Sequence, residues 1–255
     1  MSCLPVRLLK MRLSVSLWVA LASACASAAH ADPTATATVE ATSDYDFRGE
    51  SQTERQPAAQ LSFDFVDDSQ WKTGVFMSNV HFGDNSSVGN PRLEVSPYAE
   101  IMHKTASGLL LGTGMNYYAY MVDGGQGYDY GELYVDASYH GIKSTLFYTP
   151  NYDGREPHAR LEAWYVSVDA TTALIEHLSL MEHAGYAWGN YWIERNGGSK
   201  IDYSLGLNYE LGKFELQLQY IATRRMPSDP GTSIDSTGRA VFSIETILPW
   251  TSERE

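Results

Sequence analysis

The connections in this chain alternate between long and short, and that pattern constrains the fold more than any single motif. The long ones are polar: Gly49–Pro57, Gly83–Pro91, Val122–Asp129, Pro150–His158, Asn190–Ser199 and Arg225–Thr237. Between them fall Asp67–Gln70, Lys104–Ser107, the Gly141 region, Thr171–Glu176 and Leu211–Lys213. Each gap holds a run with apolar residues at every second position, the period of a strand rather than a helix. A soluble sandwich has no reason to gather its long loops at one end. A bacterial outer-membrane barrel does, because its periplasmic turns are short and its outer loops are long.

The strand faces separate by parity. Val39, Ala41, Ser43, Tyr45 and Phe47 share one face, and Glu40, Thr42, Asp44, Asp46 and Arg48 share the other. Leu61, Phe63 and Phe65 alternate with Gln60, Ser62 and Asp64; Leu133, Val135 and Ala137 with Glu132, Tyr134 and Asp136; Leu205 and Leu207 with Ser204 and Asn208. Trp71–Phe82 and Ala159–Asp169 carry apolar residues on both faces, which predicts either bulges or an apolar patch inside the barrel. The pattern predicts an all-β, antiparallel, up-and-down transmembrane barrel of about twelve strands, with both termini in the periplasm.

The N-terminus reads as an export signal. Arg7, Lys10 and Arg12 precede an apolar stretch from Leu13 to Ala24, and small residues end in Ala29-His30-Ala31. That arrangement predicts a cleaved signal peptide over 1–31 and export through the general secretory pathway. The barrel domain would then occupy 32–255, with 249–255 as a short C-terminal tail. Lipoprotein processing at Cys25 is a lesser alternative, because Ala22 stands where a large aliphatic residue is usual. Both cysteines, Cys3 and Cys25, lie inside the signal, which leaves no disulfide or thiolate metal site. The chain has 18 basic and 31 acidic residues. Cleavage removes three of the basic ones, leaving a net charge of −16, which argues against nucleic-acid binding.

Aromatic residues cluster near the loops. Tyr45, Phe47, Phe82, Tyr117, Tyr128, Tyr130, Tyr148, Tyr152, Tyr186, Trp188, Tyr191 and Trp192 lie towards the long loops. Trp71, Phe214 and Trp250 lie towards the short turns. Rings at both strand ends predict the interfacial girdles of a barrel in outer-membrane lipid.

The stretch from Ser43 to Thr53, Ser-Asp-Tyr-Asp-Phe-Arg-Gly-Glu-Ser-Gln-Thr, and the Gln56-Pro57-Ala58-Ala59-Gln60 run resemble the start of the Gcw_chp, or TorF-like, family of proteobacterial outer-membrane porins. Gly74–Val80, Tyr128–Tyr134 and Tyr148–Gly154 extend the resemblance over nearly all of the chain after the signal. It implies a Gram-negative outer-membrane barrel that passes small solutes, and it supplies no catalytic residue. The family tends to end on an apolar or aromatic residue that barrel-assembly machinery reads. Here Ala240, Phe242, Ile244 and Leu248 fit the last strand, but Pro249–Glu255 follows.

The polar faces supply the candidate pore lining: Asp44, Asp46, Arg48, Asp64, Glu94, Glu100, Glu132, Asp136, Glu162, Asp202, Glu210, Glu215, Arg239 and Glu245. Only Arg48, Arg92, Lys143 and Arg239 oppose the acids. The lining therefore predicts a negative interior that favours small polar or cationic solutes. In the first motif, Arg48 is placed to bridge neighbouring carboxylates and Gly49 to permit a turn. Tyr98, Tyr118, Tyr120, Tyr134 and Trp164 read as bulky inward groups and favour the alternative, a non-conducting surface barrel whose outer loops bind a partner. A third reading is a lipid-modifying enzyme, prompted by His177-Leu178-Ser179, but no orienting group or oxyanion site accompanies it. The remaining histidines lack metal-ligand spacing. No cofactor and no catalytic cycle are expected.

Overall fold

The computed structural model describes residues 34–67, 70–82, 90–122, 129–152, 161–227 and 236–250. The predicted signal peptide with both cysteines, several loop tips and residues 251–255 lie outside the described residues. Twelve strands close into one antiparallel barrel. They are β1 (Thr34–Thr42), β4 (Ala58–Asp67), β5 (Trp71–Asn79), β6 (Pro91–Lys104), β7 (Leu110–Val122), β8 (Tyr130–Tyr139), β9 (Ile142–Thr149), β10 (Ala163–Ile175), β11 (Leu178–Trp188), β12 (Gly198–Leu211), β13 (Phe214–Pro227) and β14 (Ser236–Leu248). Each pairs with its sequence neighbour, and β1 joins β14 through Ala37↔Leu248 to Thr42↔Ser243. Closure leaves no unpaired edge, which a sheet surrounded by lipid requires. Two further short strands, β2 (Asp46–Phe47) and β3 (Glu50–Ser51), form a separate hairpin between β1 and β4.

Burial runs opposite to that of a soluble protein. Ile101 is 67% exposed, and Leu205 and Leu218 are more than half exposed on the outer surface. Glu94, Glu132 and Asp202 are at most 2% exposed in the interior. An apolar outside and a polar inside suit a wall that faces lipid on one side. No helix among the described residues is long and apolar enough to cross a membrane.

The short turns follow from local chemistry. Tyr139↔Ile142 closes around His140 and Gly141, both with positive φ (49° and 78°), the type I′ geometry that matches strand twist. At the same end, Trp250 donates its indole N–H to Thr246 Oγ1 at 2.9 Å and meets the Phe214 ring edge-on at 6.4 Å. The ends of β1 and β14 nearest the termini also lie on this short-turn side, since Thr34 pairs with Val66.

Several expectations change. The first strand stops at Thr42 rather than running on through Phe47, and Tyr45 and Phe47 lie inside the barrel, not in a girdle. Tyr130, Tyr152 and Trp192 also belong to the inner aromatic clusters. The outer belt is narrower: Tyr148, Trp164, Trp188 and Tyr186 follow one another at 4.5, 6.1 and 5.4 Å between ring centres. Trp164 therefore faces outward, because Ala163, Tyr165 and Ser167 occupy the inward positions of β10. The apolar inward residues of β5 and β10 reflect an internal patch and not bulges: Phe76 packs on Tyr45, and Tyr165 packs on Phe147. The register irregularities fall outside Trp71–Phe82 and Ala159–Asp169, at Pro91/Leu93 in β6 and at Ala173/Ile175 near the end of β10. The connection after Trp188 contains a short helix, α1 (Asn190–Asn196).

Candidate functional site in the barrel lumen

The first long connection does not extend outward. Residues 43–53 turn back into the barrel, where β2 and β3 form a hairpin, and residues 54–57 are exposed. Phe47↔Glu50 flank a two-residue turn in which Arg48 and Gly49 both have positive φ (53° and 80°). This is again type I′ geometry, and Gly at the second position relieves its cost. Asp46 Oδ2 accepts the Gly49 amide N–H at 3.1 Å and tightens the turn.

The hairpin base is tied by hydroxyls. Asp44 Oδ1 accepts from Ser51 Oγ at 2.5 Å and from Thr53 Oγ1 at 2.9 Å. The Gln52 amide donates to Tyr45 O at 2.7 Å, and Tyr45 Oη donates to Glu94 Oε2 on β6 at 3.1 Å. Burial, then the Glu94 charge, pushes the Tyr45 phenol up in pKa.

The tip crosses to the far walls. Arg48 donates to both Glu132 carboxylate oxygens on β8, at 2.9 and 2.7 Å. Its guanidinium carbon lies 4.8, 4.4 and 4.3 Å from the ring centres of Phe47, Phe147 and Tyr165. A bidentate, ring-enclosed arginine in a partly dry interior is a strong and directional anchor. Tyr118 Oη and Thr149 Oγ1 donate to the same Glu132, at 3.2 and 3.0 Å. On the opposite wall, Lys200 Nζ donates to Arg48 O at 2.9 Å and Thr223 Oγ1 to Gly49 O at 2.7 Å. Arg239 on β14 pairs with both Asp44 and Asp46. Burial pushes the Asp46 carboxyl up in pKa, against the lowering effects of Arg239 and the Gly49 amide.

Aromatic rings fill much of the rest of the outer half of the lumen. Tyr118 stacks on Tyr130 at 4.6 Å, Tyr130 meets Tyr152 at 4.7 Å, and Tyr152 meets Tyr191 at 4.6 Å. Inward of the hairpin, a cavity of 490 Å³ is lined by Glu40, Gln60, Ser96, Tyr98, Gln217, Gln219 and Ser243, with Asp44 to Phe47 on one side. A second space of 360 Å³ shares several of these walls and adds Asp169, His183 and Asp202. There His183 sits between Asp169 (2.6 Å) and Asp202 (2.8 Å), and Tyr165 Oη donates to Asp202 Oδ2 at 2.9 Å.

The candidate pore residues separate into groups. Asp44, Asp46 and Arg48 belong to the hairpin rather than to a strand wall, and Arg239, Glu94 and Glu132 hold it in place. Asp64 pairs with Lys72 at 3.0 Å and accepts from Tyr98. Glu100 accepts from Tyr134 Oη at 3.1 Å, and Asp136 lies 3.5 Å from Lys143. Asp202 joins the His183 network, and Glu210 sits at the short-turn rim, 3.5 Å from His177. Glu215 accepts from Asn208, and cross-strand register places Glu245 between Glu40 and Glu215. Glu162 is not part of the lining: it precedes β10, has the parity of outward Trp164, and accepts from Asn190 at 2.9 Å. His177 occupies the β10–β11 turn beside Glu176 and Glu210, away from the lumen centre.

Three inward cations were not anticipated: Lys72, Lys200 and Arg225. Lys200 shares the parity of Asp202, so extending the alternation one residue before Ile201 finds it. Arg225 likewise follows Thr223 by two. Lys200 falls between the Asn190–Ser199 connection and the alternation that starts at Ile201, and Arg225 opens the stretch Arg225–Thr237 that polarity alone marks as loop.

The fold resembles that of solved bacterial outer-membrane channels. The COG4313 outer membrane channel from Pseudomonas putida F1 aligns at TM-score 0.52 and 11% identity, covering 87% of this chain and 97% of that one. The KdgM porin aligns at 0.48 and 10%, covering 83% and 98%, and the outer membrane channel DcaP of Acinetobacter baumannii at 0.46 and 11%, covering 87% and 99%. No curated protein matches. The family model described as "Bacterial protein of unknown function (Gcw_chp)" matches residues 26–242, from before the barrel to its last strand and across the whole hairpin motif, and the chain belongs to that family.

Proposed function

We propose that the protein is a TorF-like porin of the Gram-negative outer membrane, which passes small polar or cationic solutes by passive diffusion. In this reading residues 1–31 are a cleaved export signal, residues 32–255 are delivered to barrel-assembly machinery, and no catalytic cycle or cofactor takes part. The observation that carries the reading is the carboxylate-lined cavity inward of the hairpin. Glu40 lines this cavity, cross-strand register sets Glu245 on β14 and then Glu215 on β13 beside it, and none of the three makes an ion pair among the described residues. Uncompensated carboxylates on a water-filled wall attract cations and repel anions. Asp44, Asp46 and Asp64 carry less of this effect, because Arg239 pairs with the first two and Lys72 with the third.

Single-channel recording of the purified protein in planar bilayers tests the proposal. A salt gradient should give a cation-selective reversal potential. Replacing Glu40, Glu215 and Glu245 together by Gln should move it towards non-selectivity, whereas His177→Ala should leave it unchanged. An anion-selective wild type contradicts the reading.

A second reading draws support from the occupied outer half of the lumen. The hairpin and the Tyr118–Tyr130–Tyr152 stack suit a non-conducting barrel whose outer surface binds a partner. Absence of conductance at every salt concentration, with the fold intact, would favour it.

A further inference from the structure

The hairpin divides the lumen into two regions of different charge. Along β13 the boundary is sharp. Gln217, Gln219 and Ile221 line the large inner cavity, whereas Thr223 and Arg225 line a separate pocket of 250 Å³ on the long-loop side. Thr223 marks the division, since its hydroxyl donates to Gly49 O at the hairpin tip. The other walls of the outer pocket include Glu50, Ser51, Arg55 and Arg239.

We propose that this outer pocket binds a small carboxylate, held by Arg55, Arg225 and Arg239. Arg225 and Lys200 share one carboxylate, Glu50, at 3.0 and 3.3 Å, and Arg239 is shared with Asp44 and Asp46, so four cations meet three carboxylates and Arg55 is the cation left over. Two acceptors on the pocket wall are already in use. Glu50 Oε1 takes Arg225 at 3.0 Å as well as Lys200, and Gly49 O takes Thr223 and Arg239. The donors are in surplus. The Arg55 guanidinium makes no hydrogen bond or ion pair among the described residues, and each arginine has five N–H groups to satisfy. Planar forks of this kind match a carboxylate in a bidentate manner. The volume lies below the roughly 300 Å³ at which drug-sized sites begin, so the ligand has few heavy atoms.

Arg239 gives the site a second consequence. It lines the outer pocket and also pairs with Asp44 and Asp46 at the hairpin base. A bound carboxylate competes with those two acids for one guanidinium, and a ligand that prefers the released arginine shifts the population towards a freed hairpin.

The proposal goes beyond the porin reading, because binding can be measured without conduction. Isothermal titration of the detergent-solubilised full chain with succinate, at fixed ionic strength, should show saturable binding; its neutral diamide should show none. Arg55→Gln, which breaks no described contact, should weaken succinate binding about tenfold, the scale of one lost charge-assisted hydrogen bond. Arg225→Gln should weaken it at least as much. Arg224→Gln, one residue away on the outer face of β13, should leave it unchanged. Heat-modifiable gel mobility verifies that each variant is folded. Equal binding of the diamide, no saturable binding of succinate, or an unchanged affinity in folded Arg55→Gln would overturn the site. Binding by a barrel that does not conduct would keep the site and remove the porin reading.

Discussion

Arg48 and Glu132 lie 84 positions apart in the chain and are joined inside the barrel by two hydrogen bonds of 2.9 and 2.7 Å. The Glu132 side chain is 1% exposed and that of Arg48 is 9% exposed, so neither charge has water to fall back on. The pair fastens a loop between β1 and β4 to the wall at β8.

Removing one partner strands the other. Arg48→Ala leaves a buried carboxylate whose remaining donors are Tyr118 and Thr149, and the cost should be about 3 kcal/mol or more in chemical unfolding. It also removes the side chain at the hairpin tip, so conductance in planar bilayers should rise. A variant with wild-type stability and unchanged conductance would mean that the pair neither holds nor fills the lumen.

Gly49 is fixed both by its φ of +80° and by its surroundings. A Cβ there meets Asp202 Cβ at 2.5 Å and lies closer still to Thr223 Oγ1. Gly49→Ala should therefore displace the tip and expose residues 43–53 to added protease. Gly212 has φ +62° but open space around a Cβ, so Gly212→Ala should cost only about 1 kcal/mol and leave the hairpin protected. Equal proteolysis of the two variants would count against a seated tip.

Topology can be tested on cells. Epitope tags in Gly83–Pro91, Pro150–His158, Asn190–Ser199 or Arg225–Thr237 should be reached by antibody on intact bacteria, and a tag at Asp67–Gln70 should not. The reverse pattern would mean that the short-turn end faces outward.

The barrel itself predicts a β-dominated circular dichroism spectrum in detergent and a gel mobility that changes on boiling. A helical spectrum, or a stable water-soluble monomer without detergent, would contradict an exterior that exposes Ile101, Leu205 and Leu218.

The sequence by itself determined the wall. Parity separates Leu133 and Val135 from Glu132 and Asp136 because successive strand residues point to opposite faces, and loop length alternates because the two ends of a barrel meet different surroundings. Twelve strands and their neighbour pairing follow from those two local rules. The same rule misassigned Tyr45 and Phe47: alternation continues through the motif, but the chain leaves the wall after Thr42, bends at Ser43 and Asp44 into the lumen, and is reversed at the tip by Arg48 and Gly49 with positive φ. Only the tertiary structure decided that Arg48 reaches Glu132, that Lys200 and Thr223 hold the tip, and that Arg239 takes both Asp44 and Asp46. These partners sit on strands far apart in sequence, and their meeting depends on barrel closure, which no local period records. Charge showed the same division. Counting acids predicts a negative lumen, whereas folding gathers Arg48, Lys200, Arg225 and Arg239 at the hairpin and sets Lys72 and Lys143 against Asp64 and Asp136, because buried charges settle where a partner satisfies them.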